Sequence, residues 1–108
     1  MYLLCRYTLA CVKELRFEWD ARKAAANRRK HRVSFEEART VFFDENALLI
    51  ADAEHSDTED RFILLGLSSQ MRTLVVCHCY RQENDVLRII SARRANAPER
   101  EQYEKRRT

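Results

Sequence analysis

The hydrophobic pattern of this 108-residue chain changes its period near residue 47, and that change limits the folds open to it. Before this point apolar side chains recur at helical spacing, whereas after it they alternate as in β-strands. We expect a short strand at 16–19, helices at about 21–31 and 35–43, and strands at 47–52, 61–68, 72–81 and 86–93. The order predicts an α+β fold with two N-terminal helices, a four- to five-stranded mainly antiparallel sheet and a C-terminal helix.

Local signals mark where the helices start. Asp20 is a good N-cap for the first helix, and Ser34 with Glu37 forms an S-x-x-E capping box for the second. The apolar stripe of the second helix consists of Phe35, Ala38, Val41 and Phe42.

The C-terminal helix, opened by Asn96 and Pro98, has hardly any apolar face beyond Ala97 and Tyr103. Its stability therefore depends on ion pairs such as Glu101 with Lys105, or on a surface against which it docks.

The composition is that of one ordinary domain. A hydrophobic content of 45% supplies a core without a disulfide or metal, and one glycine and one proline exclude low-complexity classes. We assign residues 16–108 to the domain and residues 1–15 to an N-terminal extension of uncertain structure. Arg6 and Lys13 interrupt this extension, so we expect neither a signal peptide nor a membrane anchor, and no membrane partner.

The charge is distributed in blocks. The net charge is only +3, but residues 16–32 hold seven basic and two acidic side chains, and residues 88–108 hold seven and three. Five acidic residues lie between these blocks, at 52–60. The basic blocks predict a local surface for a polyanion if they meet in the fold.

Four cysteines, Cys5, Cys11, Cys77 and Cys79, are expected to be reduced thiols of a cytoplasmic protein. The string Cys77-His78-Cys79 resembles a metal cluster, but successive strand residues point to opposite faces and no second ligand pair exists. We therefore expect no metal site and no cofactor.

Short hairpin loops allow the strand register to be predicted. Loops at 82–85 and 69–71 give five cross-strand pairs: Arg81–Val86, Cys79–Arg88, Cys77–Ile90, Arg61–Cys79 and Ile63–Cys77. One face then carries Arg61, Cys79 and Arg88 in a row, with Arg81 diagonally adjacent. The opposite face is suited to packing against helices and comprises Phe62, Leu64, Leu74, Val76, His78, Ile89 and Ser91.

Converging arginines favour an anion-binding site, since guanidinium groups repel one another unless an anion lies between them, and their planar fork matches phosphate oxygens. In the alternative interpretation, loop carboxylates pair with each arginine, and the candidates are Glu59, Asp60, Glu83 and Asp85. A one-residue slip in either loop would also reverse the facing of the strands.

Three strings of residues together resemble one known family, the BrnT toxins. They are FEWDARKAAANRRKHRVSFEEARTVFF, DAEHSDTEDRFILLG and LRIISARRANAPEREQYE, and they span about residues 16–104 in one order. The resemblance implies a RelE-like fold and a ribonuclease toxin of a type II toxin–antitoxin system that inhibits translation. It also implies a BrnA-like antitoxin partner in a hetero-oligomer, with DNA bound only through the antitoxin.

The chain departs from the family pattern in three places. Ala21 replaces a frequent proline, Arg32 replaces the glycine that commonly ends the first helix, and residues 1–15 precede the usual start. A non-glycine residue at the second position is expected to strain the turn.

Metal-independent RNA cleavage uses the neighbouring 2′-hydroxyl as nucleophile, so the protein must hold the phosphate and manage two protons. We assign phosphate binding and transition-state stabilisation to Arg61, Arg81 and Arg88. His78 and Tyr103 are the candidates for proton transfer, although the register turns His78 towards the helices, as a core histidine would be.

Further RNA contacts are assigned to Arg93, Arg94, Lys30 and His31, with packing roles as the alternative for the arginines and for His31. Two rival functions are compatible with the same residues. One is a non-catalytic RNA- or protein-binding module with a basic surface, and the other is a metalloenzyme.

Overall fold

A computed structural model describes residues 16–51, 61–81 and 86–107. Its elements are β1 (Arg16–Glu18), α1 (Ala21–His31), α2 (Phe35–Thr40) with a 3-10 turn at Val41–Phe43, β2 (Leu48–Ala51), β3 (Arg61–Leu67), β4 (Thr73–Arg81), β5 (Val86–Arg94) and α3 (Ala97–Arg107). The α+β class is confirmed. The helices differ slightly from the prediction, because the second one ends at Thr40 and a 3-10 turn covers Val41–Phe43. The extension at 1–15 and the acidic loop at 52–60 lie outside the described residues.

The five strands form one mixed sheet in the order β1-β5-β4-β3-β2. Strand β1 runs parallel to β5, and the other neighbours are antiparallel. Because β1 lies beside β5, the first and last of the described strands are brought together.

The predicted register is confirmed at four of its five pairs. Arg81 opposes Val86, Cys79 opposes both Arg88 and Arg61, and Ile63 opposes Cys77. The fifth pair is wrong, because an irregularity between Cys77 and His78 shifts the register and places Cys77 opposite Ser91 instead of Ile90. The shift also turns Ser91 away from the helices: Ser91 is exposed, and Ala92 takes its place in the core.

Side-chain caps begin helices α1 and α2 as predicted. Asp20 accepts hydrogen bonds from the backbone N–H groups of Arg22 and Lys23, and the Ser34 hydroxyl accepts from Glu37. The reciprocal half of the capping box does not form, because the Glu37 carboxylate bonds to Ser68 and Arg72. Burial opposes ionisation of Glu37, but the bonds from Arg72 and Ser68 outweigh it and lower the pKa.

Helices α1 and α2 cover one face of the sheet, which we call the helix face. Its main buried cluster joins these helices to the strands through Val33, Phe35, Ala38, Val41, Phe42, Ala47, Leu64, Leu74, Val76, Leu87, Ile89 and Ala92. The single glycine, Gly66, permits this packing, since a Cβ there would lie 2.8 Å from Val41 Cγ1 and 3.0 Å from Ala47 Cβ.

Helix α3 covers one end of the opposite face. Tyr103 and Ala95 pack there against Leu65 and Val75. The sparsely apolar C-terminal helix is therefore held by docking, one of the two possibilities left open by its sequence. The rest of this face lies beyond α3, and we call it the open face because none of the described helices packs on it.

Candidate active site

Two arginines lie on the open face, at the end remote from α3. Arg61, Cys79 and Arg88 occupy one row across β3, β4 and β5, as predicted. Cys79 is buried, whereas Arg61 is half-buried and the Arg88 side chain is 29% exposed. Arg61 and Arg88 thus lie on either side of a small, buried thiol. Arg81 ends β4 two residues beyond Cys79, opposite Val86.

A carboxylate from β1 extends this arginine row. Glu18 is the register partner of Arg88, and its Oε2 accepts a 2.9 Å hydrogen bond from Arg88 Nη1. Sequence reasoning sought such an acid in the loops and missed Glu18. The strand pattern of residues 16–19 was the available signal, but it did not show that β1 lies beside β5.

Beside the arginine row lies a partly apolar row made of Ile50, Ile63, Cys77 and Ser91. Ile63 and Cys77 are half-buried, and Ile50 is 38% exposed. The next row, containing Leu65 and Val75, is the one that packs against α3. The arginine row and the partly apolar row both lie beyond α3. Together they form a surface with one cationic strip and one partly apolar strip.

His78 lies on the helix face, away from the arginine row. It is fully buried, and the rings of Phe42, Phe62 and Tyr80 surround it at centroid distances of 4.8, 6.1 and 5.5 Å. Burial lowers its pKa to about 4, and a 3.2 Å hydrogen bond with Val76 O only partly opposes this. His78 is thus a neutral core histidine near pH 7, and its Nε2 has no hydrogen-bond partner among the described residues.

Tyr103 lies in α3 and is also buried. Its hydroxyl donates a 2.6 Å hydrogen bond to Asp44 Oδ2, which also accepts from the Leu67 N–H at 2.8 Å. Burial and the Asp44 carboxylate raise the pKa of the Tyr103 hydroxyl. These contacts attach α3 to the end of β3, so the structure does not bring Tyr103 to the arginine row.

The remaining candidate residues are dispersed. Arg93 forms a paired ionic contact with Glu99 of α3, with both N···O distances at 2.9 Å. Arg94 is exposed and acts electrostatically on Glu37, which places it near the helix face. Lys30 and His31 end α1, where Lys30 is exposed and His31 is half-buried.

The end of α1 also forms an open pocket of about 360 Å³ that is lined by Arg28, Arg29 and Arg32. No ion pair of these three side chains occurs within the described ranges.

The described ranges contain no group of three or more His, Cys, Asp or Glu residues able to hold a metal ion. No helix in the described part of the chain is long and apolar enough to cross a membrane.

Comparisons with known proteins agree with this fold. Residues 19–99 match the family model for the ribonuclease toxin BrnT of type II toxin–antitoxin systems. The 1.1 Å crystal structure of the Brucella abortus ribonuclease toxin BrnT superposes with a TM-score of 0.59 at 20% identity, covering 76% of this chain and 97% of that one. Curated protein sequences gave no significant match.

By family, the chain falls in the class of ribonuclease toxins of type II toxin–antitoxin systems. Within that class it belongs to the BrnT family. The resemblance seen in the sequence is therefore confirmed over most of the domain.

Proposed function

We propose that this protein is a metal-independent endoribonuclease that cleaves RNA in the cytoplasm and inhibits translation, and that a BrnA-like antitoxin neutralises it. The observation that carries this proposal is the row of Arg61 and Arg88 on the open face, beyond the reach of α3. Family membership supports the ribonuclease reaction. The arginines of this row are fixed positive charges, and such charges stabilise the negative charge that develops on the phosphate oxygens during cleavage.

A phosphate can compete with Glu18 for Arg88. The Arg88–Glu18 contact is a partly exposed ion pair, with side chains 29% and 40% exposed, and pairs of this kind contribute little to stability. The bond to Glu18 uses one of the five N–H donors of the guanidinium. A phosphodiester bound across the row could therefore bind Arg88 with little loss of stability, because the contact that it weakens contributes little. We propose Arg61 and Arg81 as its further cationic contacts.

The proton that leaves the 2′-hydroxyl needs an acceptor close to the bound phosphate. His78 and Tyr103 are buried away from the row, and their positions support structural roles. Glu18 already lies 2.9 Å from Arg88, so it is our proposed general base. Lys30, His31, Arg93 and Arg94 are then proposed to contribute outside the reacting centre, through RNA contacts or support of the fold.

Cleavage of a defined RNA by the purified protein in EDTA tests the reaction. We expect cleavage by the wild type, a loss of two or more orders of magnitude in Arg61→Ala and Arg88→Ala, and normal cleavage by Arg107→Ala, which removes an exposed arginine from α3. Circular dichroism must show that all variants are folded. Abolition of cleavage by EDTA would instead indicate a metalloenzyme.

Glu18→Gln separates proton transfer from positioning. If Glu18 is the base, the variant should bind RNA normally while kcat falls and its dependence on pH flattens. A change confined to KM would show that Glu18 only orients Arg88.

The antitoxin is the second part of the proposal, since a type II toxin family implies such a partner. Induction of this protein should arrest growth, and co-expression of the adjacent reading frame should restore it and yield a hetero-oligomer. Operator DNA should bind to the complex and not to the toxin alone. Arrest that persists with every neighbouring gene co-expressed would contradict this part.

A non-catalytic binding module is the second candidate. It is favoured by the burial of both sequence-predicted proton-transfer residues, His78 and Tyr103. In that case the protein would bind RNA or an acidic partner through its arginines, and RNA would stay intact beside an active control nuclease.

A further inference from the structure

We propose that the pocket formed by Arg28, Arg29 and Arg32 at the end of α1 is a second phosphate-binding site for single-stranded RNA, separate from the arginine row. This inference rests on the proposed ribonuclease function and adds where the strand of substrate runs outside the reacting centre. The pocket holds about 360 Å³ of open space.

The lining of the pocket determines the class of ligand. Three guanidinium-bearing residues surround it, and in the described part of the chain none of them has a carboxylate partner. Like charges that line one pocket favour an anion between them, and the guanidinium fork matches phosphate oxygens. Unlike these three pocket arginines, Arg72, Arg88 and Arg93 each have a carboxylate partner.

The position of α1 connects the pocket with the arginine row. Glu18, the register partner of Arg88, lies two residues before Asp20, the N-cap of α1, so the start of α1 lies near Arg88. The helix has 11 residues and is therefore about 16 Å long. Arg22 and Lys23 are exposed in its first turn, and no acidic residue occurs within it. A strand leaving the row at the β1 edge could follow cationic side chains to the pocket.

An acidic protein partner fits the pocket less well than RNA. Protein interfaces have an apolar core, and the largest exposed apolar side chains of the described residues, Phe43, Ile50 and Met71, do not line the pocket. The outer surface of α1 offers alanines and cations only. Such a surface suits sequence-independent contact with a charged backbone.

The test uses a fluorescent, fully 2′-O-methylated RNA oligonucleotide, which lacks the nucleophile and cannot be cleaved. Its affinity is measured by anisotropy over a series of salt concentrations for the wild type and for Arg28→Gln/Arg29→Gln. The matched control is Lys105→Gln/Arg107→Gln, which removes the same charge from the exposed end of α3. Thermal unfolding by circular dichroism checks that each protein is folded.

We expect the pocket variant to bind on the order of tenfold more weakly, and its slope of log K against log salt to fall by about 1.4, for two lost phosphate contacts. The control should stay within about twofold of the wild type. Equal loss of RNA affinity in both variants would show that only the overall charge of the protein matters, and it would overturn the inference. Unchanged RNA affinity with weakened antitoxin binding would assign the pocket to a protein partner and overturn it as well.

Cleavage assays on unmodified RNA keep this inference apart from the proposed function. If the wild type cleaves RNA and the pocket variant binds as the wild type does, only the second site is wrong. If the wild type neither binds nor cleaves RNA, the proposed function fails and the second site fails with it.

Discussion

Asn27 pairs with the backbone of Ala92, 65 residues away: its Nδ2 donates to Ala92 O at 2.8 Å, and its Oδ1 accepts from the Ala92 N–H at 3.1 Å. The same Nδ2 donates to Val33 O at 3.0 Å. Strand β1 pairs with β5 only as far as Arg88, so Asn27 takes the place of a neighbouring strand at Ala92. Asn27 thus fixes α1 against the sheet.

Asn27→Ala should lower the free energy of unfolding by about 3 kcal/mol, because it leaves three buried backbone groups without partners. Urea denaturation measures the loss, with Asn46→Ala, an exposed asparagine, as the control expected to change little. A loss below about 1 kcal/mol would show that water or a shift of α1 satisfies these groups.

Tyr103→Phe should lower stability by roughly 2 kcal/mol, because the variant loses a hydrogen bond to the Asp44 carboxylate while keeping the buried ring. RNA cleavage below the melting temperature should keep its wild-type rate, since the hydroxyl holds α3 and does not face the arginine row. Chemical denaturation and single-turnover cleavage measure the two effects. A folded Tyr103→Phe protein without activity would restore Tyr103 as a proton-transfer residue.

His78 should make the protein less stable in mild acid. Its pKa is about 4 in the folded state and about 6.5 when exposed, so the unfolded chain binds more protons between these values and stability rises with pH. Between about pH 6.5 and about pH 5, this single group should lower the free energy of unfolding by about 2 kcal/mol.

The control for this effect is His78→Leu, which places an apolar side chain among the same rings. The variant should show a shallower dependence of stability on pH over that interval, measured by denaturation in matched buffers. Parallel curves for the two proteins would mean that His78 can be protonated in the folded state.

Arg32→Gly should raise stability by about 1 kcal/mol. Arg32 caps α1 directly after His31 with φ 58° and ψ 34°, the left-handed conformation in which a Cβ is strained and glycine is not. The left-handed conformation agrees with the strain expected where Arg32 replaces the glycine that is common in the family. Arg29→Gly, within the helix, is the matched control and should cost about 1 kcal/mol. Equal loss in both variants would show that the turn is not strained.

The sequence by itself determined the elements and most of the register. Caps at Asp20 and Ser34 act within three or four residues of the chain, so local chemistry was enough to place the helix starts. The hairpin at 69–71 fixed the pairing of Arg61 with Cys79 because a short loop leaves few registers open. The arginine row was therefore predictable.

Only the tertiary structure decided what surrounds that row. The irregularity after Cys77, the position of Glu18 beside Arg88, and the docking of Tyr103 on Asp44 depend on contacts between segments far apart in the chain. Local spacing carries no information about such contacts, since their energies arise only when the sheet and helices have packed. For the same reason, burial on the helix face, and not residue type, made His78 a neutral core residue.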